Sequence, residues 1–127
     1  MMTTDLNDLA HRYVAVWNEP DHLKRRNDIE QLWAQDGMHF TPTREVTGYD
    51  ALTARVEEAH NRFVRDQGFA FRVSGEPLGH HGVVKFSWVM VDPQSDAVSA
   101  AGSDVLHLDD SGCITTDHQF TEPLTRA

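Results

Sequence analysis

The chain has 127 residues, of which 39% are apolar, a size and composition typical of one domain built around one hydrophobic core. We therefore predict a single domain over residues 1–127. The 20 Asp and Glu residues outnumber the 11 Lys and Arg residues, and the formal net charge is -9. This charge repels phosphate backbones and anionic lipids, so neither nucleic acid nor a membrane is expected as a partner.

The N-terminal stretch and the cysteine content favour a cytoplasmic protein. Residues 1–8 are polar and acidic, whereas a secretory signal is basic and then apolar. No apolar run approaches the roughly 20 residues that a membrane span requires. Cys113 is the single cysteine, so an internal disulfide is impossible and a reducing compartment fits.

The first half of the chain carries helical periodicity. Apolar residues at spacings of three and four predict a first helix over residues 5–18, with Tyr13 and Trp17 on its inward face. Pro20 suits the first turn of a second helix, and Gly37 is expected to end it.

The rest of the chain is predicted to be mainly extended. A short strand over residues 38–41 and a polar loop precede a third helix, which lies between Gly48 and Gly68. The period then changes to two, which is typical of strands separated by turns. The predicted strands cover 69–73, 83–91, 98–108 and the residues from 114 onward.

Helices gathered first and strands afterwards predict an α+β domain. We expect a curved antiparallel sheet that wraps around three N-terminal helices. The strand over residues 83–91 is apolar on both of its faces, so one face should line the interior and the other should be covered. A second copy of the chain, in a homodimer, is the expected cover.

Asp104 is the most informative single residue. Its register places it on the strand face of Leu106 and Leu108, where an apolar side chain is expected. Burying a carboxyl there costs several kcal/mol unless it is hydrogen-bonded or protonated, so its pKa should rise, and such shifts gather at functional sites. A structural acid, bonded to the backbone or to an arginine, is the alternative that the sequence leaves open.

Other interior positions give less specific signals. Tyr13 either fills the core or points its hydroxyl into a cavity. His39 and Thr41 alternate on one face of the short strand, which makes the imidazole of His39 a candidate base. Trp17 and Trp88 are typical of a core, although several aromatic side chains around one hollow would also suit an apolar ligand.

The orientation of the last strand is left open. Either Asp117 and Gln119 or His118 and Phe120 face the interior, depending on how many residues the turn over 109–112 holds.

No motif for metal, nucleotide or nucleophilic chemistry is present. The eight histidines have no His-Glu-x-x-His spacing, and the sequence has no phosphate-binding loop, dinucleotide fingerprint or nucleophile elbow. Neither a metal ion nor a cofactor is therefore expected.

Several short motifs carry a family resemblance. They are Arg12-Tyr13-Val14-Ala15, Leu32-Trp33-Ala34, Gly48-Tyr49-Asp50-Ala51-Leu52 and Gly102-Ser103-Asp104. Together with the order of elements, over almost the whole chain, they resemble the SnoaL-like branch of the nuclear transport factor 2-like superfamily. The resemblance implies a cone-shaped shell that encloses an apolar pocket for a small apolar organic ligand.

Ketosteroid isomerase, in the same superfamily, is the most useful comparison. Tyr13 and Asp104 match the pair that donates hydrogen bonds to its substrate oxyanion. Thr41 stands where that enzyme carries its general-base aspartate, and a threonine cannot accept a proton near neutral pH, so steroid-type isomerisation is not expected. Val56 replaces a tyrosine that supports the isomerase network.

Two functions remain open at this point. The first is acid–base catalysis on a small carbonyl or polyketide-like compound, with Asp104 as the acid, Tyr13 as a donor and His39 as the base. The second is ligand binding without turnover, which the missing aspartate base favours. The residues expected around the ligand are Trp17, Thr41, Val56, Trp88, Asp117 and Gln119.

Overall fold

The computed structural model describes residues 5–124 of the chain. Within them lie the helices α1 (Leu6–Asn18), α2 (His22–Leu32) and α3 (Tyr49–Ala59), the last continued by a π-helical segment, His60–Arg65. The strands are β1 (Trp33–Thr41), β2 (Arg44–Thr47), β3 (Ala70–His80), β4 (Val83–Val91), β5 (Val98–Leu108) and β6 (Ile114–Glu122). In this part of the chain no helix has the length and apolar character needed to cross a bilayer.

The strands form one open sheet in the order β2-β1-β6-β5-β4-β3, which with the helices makes a cone-like α+β fold. Most neighbouring strands are antiparallel, but β1 and β6 run parallel. The predicted antiparallel arrangement thus holds for every neighbouring pair except β1–β6. After β1 the chain passes through β2, α3 and the β3–β4–β5 meander, and it returns as β6 in the direction of β1. Strand periodicity does not reveal this long-range pairing.

The first helix forms as its pattern predicts. The Asp5 carboxylate caps it by accepting the Asp8 N–H at 3.1 Å. Its apolar stripe buries Leu9, Tyr13 and Trp17 against the sheet, and β3 is its main neighbour. Each such side chain contributes about 1.5–3 kcal/mol by leaving water.

The second helix ends earlier than predicted. It stops at Leu32 and β1 begins at Trp33, so Gly37 is a strand residue rather than a helix stop. A Cβ on Gly37 would lie 3.0 Å from the carbonyl oxygen of Ile114 on β6. The β1–β6 register also shifts between Trp33 and Met38. The glycine therefore permits a close backbone approach at an irregular point in the ladder.

The polar segment after β1 is a strand, where a loop was predicted. Thr41 pairs with Arg44 across the two-residue turn 42–43, and β2 continues to Thr47. Its side chains are mostly exposed and polar, so no apolar alternation marks it. A short, charged strand of this kind is typical of a sheet edge.

Two further strand details differ from the sequence analysis. β3 continues to His80 through an irregularity between Ser74 and Leu78, where a turn was predicted. The outward side of β4 includes the exposed Lys85 and Ser87, so this strand is not apolar along the whole of both faces.

The core lies between the helices and the inward face of the sheet. Its largest fully buried side chains are Phe86, Ile29, Leu52, Leu106, Ile114, His39, Asp104 and Asp117. Three of these side chains are ionisable, and burying them without partners would cost several kcal/mol each. These three ionisable side chains therefore require hydrogen-bond partners within the core.

Candidate active site

Four buried side chains, Tyr13, His39, Asp104 and Asp117, form one hydrogen-bonded group, named here the buried cluster. Tyr13 Oη lies 2.9 Å from Asp104 Oδ2 and also bonds Asp117 Oδ2. His39 Nδ1 lies 2.8 Å from the same Asp117 oxygen. All four residues are buried, and none is more than 4% exposed.

Secondary structure brings the buried cluster together. His39 and Asp117 are direct partners in the parallel β1–β6 ladder. Asp104 pairs with Gln119 in the β5–β6 ladder, so the two acids stand on adjacent strands in diagonal positions. Helix α1 lays Tyr13 across both acids.

A tryptophan and a glycine hold Asp104 from the other side. Trp88 Nε1 donates to Asp104 Oδ1 at 2.8 Å. Gly102 is the partner of Trp88 in the β4–β5 ladder, and a Cβ there would overlap the indole and lie 2.5 Å from the carbonyl oxygen of Phe120. The Gly102-Ser103-Asp104 motif thus has a physical role, because the glycine leaves the indole room to reach the acid.

Burial shifts the pKa of every member of the buried cluster. It raises the pKa of Asp104 well above its usual range, and the charge of Asp117 raises it further. Burial raises the pKa of Asp117 to about 6 and lowers that of His39 to about 4, the latter with help from the Arg55 charge. The pKa of Tyr13 is raised by burial and by both acids. At neutral pH His39 and Tyr13 are therefore uncharged.

Counting protons gives the direction of the hydrogen bonds. Tyr13 has one hydroxyl proton but contacts two carboxyls, so one of the carboxyls must donate to the phenol oxygen. Asp104 has the more strongly raised pKa and keeps its proton, whereas Asp117 ionises above about pH 6. Asp104 then donates to Tyr13, and Tyr13 donates to Asp117. The buried cluster carries one negative charge that two carboxyls can share.

A cavity of about 300 Å³ opens beside the buried cluster. This volume is at the lower end of the range for small-molecule sites. Tyr13 and Asp104 reach the cavity, whereas His39 and Asp117 lie behind them and are not among its lining residues. Much of the wall is apolar or aromatic, and includes Val14, Trp17, Phe63, Phe71, Trp88 and Met90.

The predicted ligand-binding residues fall into separate places. Trp17, Trp88 and Gln119 line the cavity. Val56 is buried in the core at 3% exposure, and Thr41 Oγ1 accepts the Thr43 N–H at 3.3 Å in the β1–β2 turn. Neither Val56 nor Thr41 is among the residues that line this cavity.

The orientation of β6 is now determined. Asp117 is buried in the cluster and Gln119 reaches the cavity. His118 and Phe120 face outward, where the His118 ring stacks on Phe40 at 4.8 Å. Asp117 nevertheless bonds Tyr13 and His39 instead of facing the pocket space, so its predicted direct contact with a ligand is not what the geometry offers.

His39 does not line the cavity, where a base that contacts a ligand would lie. Its neutral ring donates through Nδ1 to Asp117, which makes it a positioning residue for that carboxylate. Within residues 5–124, His39 Nε2 and Asp117 Oδ1 are buried without a hydrogen-bond partner. Such buried, incompletely bonded polar atoms are uncommon and call for an explanation.

Charged side chains at the cavity were missed by the sequence analysis. Arg44 pairs with Glu58, and both line the cavity together with Arg55 and Arg62. The Arg55 guanidinium lies over the Trp17 ring, 5.2 Å from its centroid. The sequence did contain an indication of the Arg55 position, because Arg55 follows the buried Leu52 by three residues on α3 and therefore flanks the inward face of that helix.

The same cluster contains the atoms that could hold a metal ion. His39, Asp104 and Asp117 each offer a ligand atom, and these atoms lie within 4.8 Å of one another. Asp117 Oδ2 already accepts two hydrogen bonds, and Trp88 and Tyr13 bond the two oxygens of Asp104. Three of the four carboxyl oxygens thus take part in hydrogen bonds, whereas Asp117 Oδ1 and His39 Nε2 have none among residues 5–124.

Comparison with known proteins places this fold in a family. No protein-family model and no curated protein matches the chain. Among solved structures, a SnoaL-like protein from Burkholderia thailandensis E264 matches at 13% identity and TM-score 0.71 over 96% of this chain and 100% of that one. An NTF2-like protein from Exiguobacterium sp. 255-15 matches at 17% identity and TM-score 0.69, over 91% and 99%. These two likenesses concern the fold.

A third solved structure is more similar in sequence. It is a protein of the SnoaL-like family from Agrobacterium tumefaciens strain C58, described as a candidate isomerase. The identity is 30% and the TM-score 0.84, over 93% of this chain and 97% of that one. With this identity over nearly the full length of both proteins, the chain belongs to the SnoaL-like family.

Proposed function

We propose that the chain is an acid–base enzyme that moves a proton on a small, mostly apolar carbonyl compound bound in the pocket. The observation that carries the proposal is a carboxyl with a raised pKa, Asp104, at the wall of an apolar cavity and hydrogen-bonded to a second acid through Tyr13. The Agrobacterium relative, described as a candidate isomerase, supports the same class of chemistry.

Protonated Asp104 is the acid of this proposal. Its Oδ2–H turns from Tyr13 to the carbonyl oxygen of the ligand and stabilises the negative charge that develops there. Trp88 keeps the other carboxyl oxygen in place through its indole N–H. The apolar wall excludes water, which strengthens this hydrogen bond.

The base form of Asp104 arises by a proton shift inside the buried cluster. Asp104 gives its proton to the Tyr13 oxygen, and Tyr13 gives its own proton to Asp117. Asp104 is then a carboxylate, and this shift leaves the net charge of the cluster unchanged. When Asp104 takes a proton from a carbon next to the carbonyl, the negative charge passes to the enolate oxygen, and the newly protonated Asp104 donates its hydrogen bond there. The raised pKa of Asp117, about 6, makes it a suitable acceptor near neutral pH.

Hydrogen–deuterium exchange tests the proposal. Acetophenone and 4-oxo-4-phenylbutanoate carry exchangeable hydrogens next to a ketone, and NMR in deuterated buffer follows their replacement. We expect the protein to accelerate exchange on at least one of the two probes. Asp104→Asn should lower the accelerated rate by about 100-fold or more, and Tyr13→Phe should also lower it because the proton shift is interrupted.

Asp110→Asn is the matched control, since Asp110 is an exposed acid in the turn after β5. The Asp110→Asn variant should accelerate hydrogen exchange on the probes as much as the unchanged protein does. Equal exchange rates with Asp104→Asn and with the unchanged protein would contradict the proposal. Binding of the probes without any exchange of their hydrogens would also contradict it.

Ligand binding without turnover is the second candidate. It is favoured by the position of His39 and Asp117 behind the wall of the cavity, which leaves Asp104 to serve as both acid and base. Binding of the ketones without exchange is the result that would select it.

A further inference from the structure

The charges around the cavity differ in sign from the rest of the chain. The protein has a formal net charge of -9, yet its cavity is lined by Arg44, Arg55 and Arg62 against Glu58 and the protonated Asp104. The wall therefore carries a local excess of positive charge on an acidic protein. A cavity with this contrast concentrates anions from solution.

The three arginines are not equally available to a ligand. Arg44 is paired with Glu58, and the two side chains are 39% and 54% exposed. Arg62 is exposed and its guanidinium lies 5.0 Å from the Phe63 ring centroid. Arg55 is half-buried, and thus lies deeper than the other two.

Arg55 is held in place but not neutralised. Its guanidinium rests on the Trp17 ring, a contact that fixes its plane without using its N–H groups. Within residues 5–124 it has no ion pair or hydrogen bond, and its Nε is buried without a partner. Burial lowers its pKa, but an arginine stays charged at neutral pH. Arg55 is therefore a half-buried cation that no anionic side chain of the described residues contacts directly.

We infer that Arg55 binds the carboxylate of the ligand, so that the pocket takes small organic acids with an apolar body in preference to neutral ketones. A guanidinium presents paired N–H groups that match the two oxygens of a carboxylate. The inference rests on the proposed function, and it adds the substrate class. The ligand then spans the pocket, with its carboxylate at Arg55 and its carbonyl at Asp104.

Binding of a matched pair of compounds tests the inference. The probes are 4-oxo-4-phenylbutanoate and 4-oxo-4-phenylbutanamide, which differ mainly in charge. Trp17 and Trp88 line the cavity, so tryptophan emission reports binding of either compound. We expect the acid to bind about tenfold more tightly than the amide or better.

Variants then assign the preference to one side chain. Arg55→Gln should bring the acid and the amide to similar affinities, whereas Arg55→Lys should retain part of the preference because it retains the charge. Arg65→Gln is the control, because Arg65 pairs with Asp66 outside the cavity. It should leave the ratio of affinities unchanged.

Three outcomes would overturn the inference: equal affinity for acid and amide in the unchanged protein, no binding of the acid at millimolar concentration, or an undiminished preference in Arg55→Gln. Each differs from a failure of the proposed function. If the acid is preferred through Arg55 but its hydrogens never exchange, the binding inference stands and the catalytic proposal falls. If acetophenone exchanges in an Asp104-dependent way without any preference for the acid, the reverse holds.

Discussion

Burial shifts the pKa values of His39 and Asp117 in opposite directions. The pKa of Asp117 rises from about 3.9 in an unfolded chain to about 6, so its contribution to stability is lost as pH rises from about 4 to 6. The pKa of His39 falls from about 6.5 to about 4, so its contribution is gained as pH rises through the same window. Each change corresponds to about 3 kcal/mol, and the two nearly cancel.

Asp117→Asn removes one of these opposed contributions. The His39 contribution is then opposed only by that of Asp104, whose raised pKa also makes stability fall as pH rises. Relative to the unchanged protein, the slope of the unfolding free energy against pH between 4 and 6.5 should therefore become more positive by up to about 1.4 kcal/mol per pH unit. Denaturant unfolding at several pH values measures this slope. Asp110→Asn, at an exposed position, should leave the slope as it is in the unchanged protein. A common slope for both variants would mean that the Asp117 pKa is not raised.

Helix α1 is joined to the edge strand β3 by one amide side chain. Asn18 Nδ2 donates to the Phe71 carbonyl at 2.7 Å, and the Phe71 N–H donates to Asn18 Oδ1 at 2.8 Å. The amide thus bonds β3 as a neighbouring strand would, on a sheet edge whose backbone groups would otherwise meet water. Because the Phe71 ring lines the cavity, this joint also places part of the pocket wall.

Asn18→Ala should lower the unfolding free energy by about 1–3 kcal/mol, because both hydrogen bonds are lost at a half-buried position. It should also speed hydrogen exchange at the Phe71 amide. Asn7→Ala, on the exposed face of the same helix, is the matched control and should stay within about 0.5 kcal/mol of the unchanged protein. If the two variants lose the same stability, the joint contributes nothing.

Local patterns predicted much of this architecture, and long-range contacts explain the errors. The apolar stripe of α1 and the alternation in β4, β5 and β6 need no knowledge of partners, since one face of each is simply buried. Gly37 misled the prediction because a glycine that ends a helix and a glycine that allows two strands to approach look alike in sequence. Its close neighbour, Ile114, lies far along the chain.

The site could be predicted from the sequence only in part, for the same reason. Asp104 was identifiable because an acid in an apolar strand register is unusual. The link between His39 and Asp117 was not, because it depends on the parallel pairing of β1 with β6. Arg55 adjoins the buried stripe of α3, but a flanking arginine is usually solvated, and its contact with Trp17 becomes visible only in three dimensions.

The outward face of the sheet bears on how two copies would meet. Phe120 is 48% exposed there, next to the stacked rings of Phe40 and His118. Val105 pairs with His118 and is half-buried on the same face. The exposed Lys85, across from Val105, interrupts this area, so a dimer interface here would combine apolar contacts with a polar margin.

We expect a homodimer that forms through this outward face, and we expect salt to strengthen it. Two copies that each carry a formal charge of -9 repel one another at low ionic strength, and salt screens that repulsion while leaving apolar contacts in place. Sedimentation at about 50 and 500 mM salt should show the dimer fraction rising, since 500 mM shortens the screening length well below 10 Å.

Phe120→Asp should abolish the dimer by adding a charge within the contact. Leu23→Asp adds the same charge at a side chain that is 72% exposed on α2, away from the sheet, and should leave association unchanged. A monomer at both salt concentrations, or equal effects of the two variants, would show that the outward face is not where copies of this chain meet.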